Sequence, residues 1–212
     1  MDLKIVLPAG GLLLVLCLAA ASRSQSPAGS APVLVKAELP NPPAYTQDGR
    51  LLFPAHYREW VYLSTGVDMS YNPKAIATGH TVFDNVFVNP GAYTRFLQEG
   101  TWPDKTVLVL EARMGMDRGS INQQGHYQGT QVVGVEVHVK DEARFSGKWA
   151  FFDFDDEVSG SLFPKDAACY SCHADHAAVD TTFVQFYPTL LPIARQKKTL
   201  SESYLKEEAA AK

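Results

Sequence analysis

One stretch, Cys169-Tyr170-Ser171-Cys172-His173, constrains this chain more than any other. Two thiols three positions apart, followed at once by an imidazole, form the pattern by which a chain bonds to a single porphyrin through two thioether links. The histidine beside the second thiol is then held under the iron as its axial ligand, a main lever on haem chemistry. Other readings of the same residues are a disulfide or a zinc knuckle using His173 or His176. Zinc would need adjacent Cys172 and His173 to reach one ion together, or a fourth ligand from elsewhere, and the usual paired spacings are absent. A thioredoxin-like redox pair expects a cytosolic βαβ setting that the flanks do not offer. The sequence therefore predicts one covalent haem c, with Cys169 and Cys172 as thioether donors and His173 as the iron ligand.

The third cysteine, Cys17, lies in an N-terminal segment with an export pattern. Lys4 precedes an apolar run from Ile5 to Leu18 that Pro8, Gly10 and Gly11 interrupt, and Ala19-Ala20-Ala21 offers a small-x-small cleavage site. The run is shorter than the ~20 residues that span a bilayer. We read residues 1–21 as a signal peptide cleaved near Ala21, which sends the mature protein to the periplasm. The alternative is a membrane anchor over residues 5–21. Bulky Leu16 directly before Cys17 argues against a lipoprotein. Residues 22–47 are rich in Ser, Ala and Pro, and Pro40-Asn41-Pro42-Pro43 resists both helix and strand, so a linker is expected there. The net charge of −4 and the lack of a basic run give no reason to expect nucleic acid.

The remainder reads as an α+β domain over residues 48–195. It predicts a mainly antiparallel five-stranded sheet with flanking helices, the haem being attached near the C-terminal helix. The strands are expected over 60–64, 81–88, 106–114, 131–140 and 149–154, each rich in β-branched and aromatic residues. Asn89-Pro90 should end the second strand and start a helix that Gly100 stops. Residues 115–130 and 155–166 read as loops. In the fourth strand, alternation puts Gly134, Glu136 and His138 on one face and Val135, Val137 and Val139 on the other. Phe183, Phe186 and Tyr187 supply an apolar face before Pro188. Residues 196–212, charged and alanine-rich, predict a solvated helical tail.

Several of these stretches together resemble the cytochrome P-460 family and its cytochrome c′-beta relatives, over about residues 48–195. They are Pro54-x-x-Tyr57-Arg58-Glu59-Trp60-Val61, Val86-x-Val88-Asn89-Pro90-x-x-Tyr93 and Trp102-x-Asp104-x-Thr106. They continue with Gly134-Val135-Glu136-x-x-Val139-Lys140-Asp141, Trp149-Ala150-Phe151, the haem motif, and Asp180-x-x-Phe183-x-x-Phe186-Tyr187-Pro188. The resemblance implies an exported, mono-haem, mostly β protein, often a homodimer, whose five-coordinate iron has histidine on one side and an open distal site. P-460 members oxidise hydroxylamine. The c′-beta members bind nitric oxide and carbon monoxide in a hydrophobic pocket.

Two positions pull the resemblance in opposite directions. P-460 members carry a lysine on the third strand, bonded to the porphyrin edge. Leu110 stands at that position, and leucine has no nucleophilic nitrogen. Glu136 matches the distal carboxylate of P-460 members and is a candidate proton acceptor; the bland reading pairs it with an arginine or leaves it at a wet sheet face. A distal arginine of P-460 members has no counterpart, and Asp84 falls near its position. Phe83 and Phe87 share a strand face and are either an apolar lid over the iron or plain core. His138, Met69, Met114 and Met116 are candidate sixth ligands, although a strand histidine is usually a surface or satisfied residue and methionine usually fills gaps. Three functions follow. The first is binding of small ligands (NO, CO), with redox turnover through a periplasmic partner. The second is oxidation of hydroxylamine or nitric oxide. The third is electron transfer through a six-coordinate iron.

Overall fold

The computed structural model describes residues 40–70 and 79–211. The expected signal peptide, its anchor alternative, residues 22–39 of the linker and Lys212 lie outside those residues. No helix among the described residues is long and apolar enough to cross a membrane.

The sheet has seven strands rather than five. They are β1 (Leu51–Leu52), β2 (Val61–Val67), β3 (Val82–Val88), β4 (Val107–Met116), β5 (Tyr127–Lys140), β6 (Trp149–Phe154) and β7 (Ser159–Leu162). All neighbours pair antiparallel in the order β1-β7-β6-β5-β4-β3-β2. The two unforeseen strands are short edges. Ser159-Gly160-Ser161 has little intrinsic strand preference, and pairing with Leu51 and Asp153 imposes the extended form. Gly160 is needed there, because a Cβ would lie 2.6 Å from the Phe154 ring. The hairpin between β4 and β5 also runs further than its Gly- and Gln-rich sequence suggests, pairing Gly115 with Gln128 beyond bulges near Arg113.

Alternation sorts the sheet into two faces. Val107, Val109, Val135, Val137, Val139 and Phe152 pack on one side with Leu51 and Tyr57. On the other side Leu63, Val88 and Leu108 meet Ala92, Phe96, Trp102 and Leu190, which come from helices and connections. Helix α1 (Pro90–Glu99) begins with proline in its first turn and ends at Gly100, whose φ of 76° is left-handed. The other helices are α2 (Ala168–His176), α3 (Leu191–Lys197) and α4 (Glu202–Ala210).

Both ends of the domain reach further than composition indicates. Residues 40–47, within the stretch read as a linker, are hydrogen-bonded to the domain: Asn89 donates to the carbonyls of Pro40 and Asn41, and the Tyr45 hydroxyl donates to Asp141. The charged tail is helical, as its composition suggests, but it is also anchored. Leu200 and Tyr204 pack on the core, and Glu208 pairs with Arg195 at 2.7 Å. His176 of α2 pairs with Glu207 of α4.

Candidate haem-binding site

Helix α2 contains no buried residue, so packing of an apolar stripe does not explain its place. Its spacing does: residues three and four apart share a helix face, which brings Cys169, Cys172 and His173 together. All three line one cavity of about 450 Å³. Val86, Leu108, Leu110 and Glu136 of the sheet and Phe183 and Tyr187 of the chain after α2 complete its walls. Both cysteines are free thiols rather than a disulfide. Among the described residues no three His, Cys, Asp or Glu side chains converge as a metal ion would require, which leaves the zinc reading without a donor set.

The His173 ring is held on several sides. Its Nδ1 donates to the Thr181 carbonyl at 2.8 Å. Its ring lies 4.2 Å from Phe183, 4.6 Å from Phe151 and 5.0 Å from His138, centroid to centroid. With the proton on Nδ1, the Nε2 lone pair is the free one, which is the tautomer a metal ligand needs. Burial pushes the His173 pKa below the ordinary imidazole range, against the opposing pull of the Thr181 bond. The neutral, ligating form is therefore favoured. Two thiols and a neutral imidazole facing a mostly apolar cavity fit a thioether-bound haem.

Opposite these groups the sheet register builds a row across four strands: Glu136 faces Leu110, Leu110 faces Val86, and Val86 faces Ser64. Leu110 and Glu136, the two positions marked by the family resemblance, both line the cavity. Burial, then the charges of Asp153 and Asp84, raise the Glu136 pKa. Asp84, also in the cavity wall, is raised by burial and then by Asp68. Both carboxyls are biased toward the protonated form.

Phe83 and Phe87 are not among the residues that line this cavity. Strand parity turns them to the valine side, where Phe87 meets Tyr57 at 5.6 Å, so the lid reading is corrected to core for Phe87. Asp84 and Val86 take the cavity side instead. His138 differs from the usual surface histidine: it is 8% exposed and its Nε2 has no partner. It stacks on Phe151 at 4.0 Å, and Phe151 also touches His173. The shared neighbour contacts both rings, and the His138 and His173 ring centroids are 5.0 Å apart. Of the three methionines, Met69 lines the cavity, whereas Met114 and Met116 do not. Sequence reasoning missed Leu108, Phe151, Ser64, Thr65 and Gly66 as wall residues. Counting by two along each strand from Glu136 would find Leu108, but only once the register is known.

Comparison with known proteins adds one match. The family profile of cytochrome P-460 matches residues 54–184. No curated protein matches the chain.

Proposed function

This chain belongs to the cytochrome P-460 family and so is a haem-binding cytochrome; from that premise we propose that it is a periplasmic, mono-haem c-type protein whose five-coordinate iron binds small ligands such as nitric oxide or carbon monoxide. The bound haem supplies an iron that can accept a ligand and change oxidation state. The chain supplies the rest. Cys169 and Cys172 would hold the group as thioethers, and His173 Nε2 would ligate its iron. Val86, Leu108, Leu110 and Phe183 exclude water. Glu136 accepts or returns a proton near the ligand.

A single observation carries this reading: Cys169, Cys172 and His173 of α2 all line one cavity whose far wall is largely apolar, and the His173 Nδ1 is engaged by the Thr181 carbonyl. Leu110 in that wall has no atom able to bond to a porphyrin edge, which favours ligand binding over the hydroxylamine chemistry of P-460 members. Glu136 supports the second reading, an enzyme oxidising hydroxylamine or nitric oxide, because a carboxyl in such a wall is placed to take a substrate proton. Export belongs to the same proposal on the N-terminal apolar run and its Ala19-Ala20-Ala21 site, a homodimeric state on the family resemblance, and a periplasmic redox partner goes with redox turnover of the haem.

The absorption spectrum of haem-loaded protein tests it. Expected are high-spin ferric bands and a shift when carbon monoxide meets the ferrous form. A strongly red-shifted ferrous Soret band would signal a porphyrin cross-link and favour the enzyme. Low-spin bands indifferent to carbon monoxide would mean a six-coordinate electron carrier and overturn the proposal.

A further inference from the structure

We propose that Lys140 and Asp180 form a positioning pair for the axial histidine, holding the turn at Asp180–Thr181 in the one shape that presents the Thr181 carbonyl to His173 Nδ1. The inference rests on the reading of His173 as iron ligand.

Lys140 is 6% exposed, at the end of β5 on the same face as Glu136 and His138. A buried ammonium is costly unless it is paired and hydrogen-bonded. Its Nζ donates to Asp180 Oδ2 at 2.5 Å and to the Trp102 carbonyl at 2.7 Å. Nothing in the cavity uses it, so its partners indicate its purpose.

Asp180 and Thr181 have φ values of 48° and 59°. Left-handed backbone is unfavourable for an L-residue. Aspartate tolerates it, but a β-branched threonine there is unusual. Such residues persist where their surroundings over-determine them, and they gather at functional sites. The surroundings here are explicit. Val179 and Thr182 bridge across the turn, with Thr182 N donating to the Val179 carbonyl at 2.8 Å. Thr182 Oγ1 donates to the same carbonyl and accepts from Trp102 Nε1, each at 2.7 Å. Trp102 thus grips the turn twice, through Thr182 and through its carbonyl on Lys140.

Thr181 itself is not held by its side chain, because its buried Oγ1 has no partner. Its carbonyl is aimed by its neighbours, and that carbonyl receives the His173 bond. An acceptor on the far nitrogen of a ligating histidine fixes the ring and raises its basicity. A more basic imidazole favours the more oxidised iron. The pair therefore acts on the metal from two residues away, without touching it.

The test uses the full haem-loaded protein, with the ferrous Fe–His stretching frequency and the midpoint potential as readouts. Asp180→Asn keeps size and left-handed tolerance but removes the charge. It should lower the stretch and raise the potential, and Lys140→Met should shift both the same way. The double variant should move no further than the larger single one. Lys140→Arg, which keeps the charge, should restore wild-type values. Unchanged stretch and potential in a folded Asp180→Asn protein would overturn the inference. If that variant does not load haem, Thr181→Gly decides: it relieves backbone strain and leaves the ion pair. A wild-type stretch is expected, and a shifted one would mean that the pair does not aim the carbonyl. Wild-type protein with no ferrous Fe–His band would remove the ligand reading itself, and is seen before any substitution is made.

Discussion

Replacing Glu111 by glutamine should cost the fold about 2–4 kcal/mol and leave the haem spectrum untouched. Glu111 is 2% exposed in β4. It accepts from the Tyr57 hydroxyl, from Arg58 Nε at 2.8 Å and from Arg113 Nη2 at 3.1 Å. A hydrogen bond to a charged group is worth about 1.5–3 kcal/mol. Arg113 is 20% exposed and earns most of that figure, whereas Arg58 at 44% is screened and counts for about 0.2–1 kcal/mol. Glutamine keeps one acceptor but loses the charge and turns an amide toward an arginine, so the loss lies between one and two charged bonds.

The pH dependence gives a second handle on the same residue. Burial alone would raise the Glu111 carboxyl, but hydrogen bonds from Arg113, Tyr57 and Arg58 outweigh it and hold the pKa below the ordinary range. An unfolded glutamate titrates at about 4.3. The stabilisation is therefore full above about pH 4.3 and is lost as pH falls through the lower folded value. Urea unfolding followed by tryptophan fluorescence should show the gap between wild type and Glu111→Gln at pH 7 and its narrowing below pH ~4. A gap that is constant across that range would refute the electrostatic account. A changed Soret band would refute the placement, since Leu110 faces the cavity and Glu111, next in the strand, faces away.

Three further outcomes are expected. Cys169→Ala with Cys172→Ala should abolish covalent haem, checked by haem staining of a denaturing gel; a persisting stain would exclude both thiols. Glu136→Gln should remove a pH-dependent step in nitric oxide binding whose midpoint lies above the ordinary glutamate value, as stopped-flow rates across pH 4–8 would reveal. Because the folded Glu136 pKa is raised, its stabilising contribution is full below about pH 4.3 and fades as pH rises through the folded value. The glutamine variant should accordingly match or exceed wild-type stability at neutral pH, and a clear loss there would speak for an unseen partner. Gly100→Ala should destabilise by at least ~1 kcal/mol by denaturant midpoint, since its φ is 76° and a Cβ would meet Lys197 Cβ at 2.5 Å; an unchanged midpoint would contradict the tight approach of α3.

The haem motif, the five long strands, α1 with its proline start and glycine stop, and the two-faced pattern of β5 are all local. Spacing and alternation act within a few residues, so they can be read from the chain directly. Leu110 and Glu136 were singled out by the family resemblance, since alternation sorts residues into faces without saying which face meets the cavity. What stayed hidden depends on partners distant in sequence. β7 is a strand because β6 and β1 flank it, despite Ser and Gly. The linker's end is tied by hydrogen bonds from Asn89, and the charged tail rests on the core through Leu200 and Tyr204. Phe83 and Phe87 obey the same alternation as Glu136, but which parity faces the cavity follows from register against β4, and no single strand encodes that. His138 is buried because β6 and α2 close over it, and the turn that serves His173 is bent by a lysine forty residues away. Sequence periodicity determined which side chains share a face; only the assembled sheet decided what each face looks at, because burial and hydrogen-bond pairing are properties of neighbours in space.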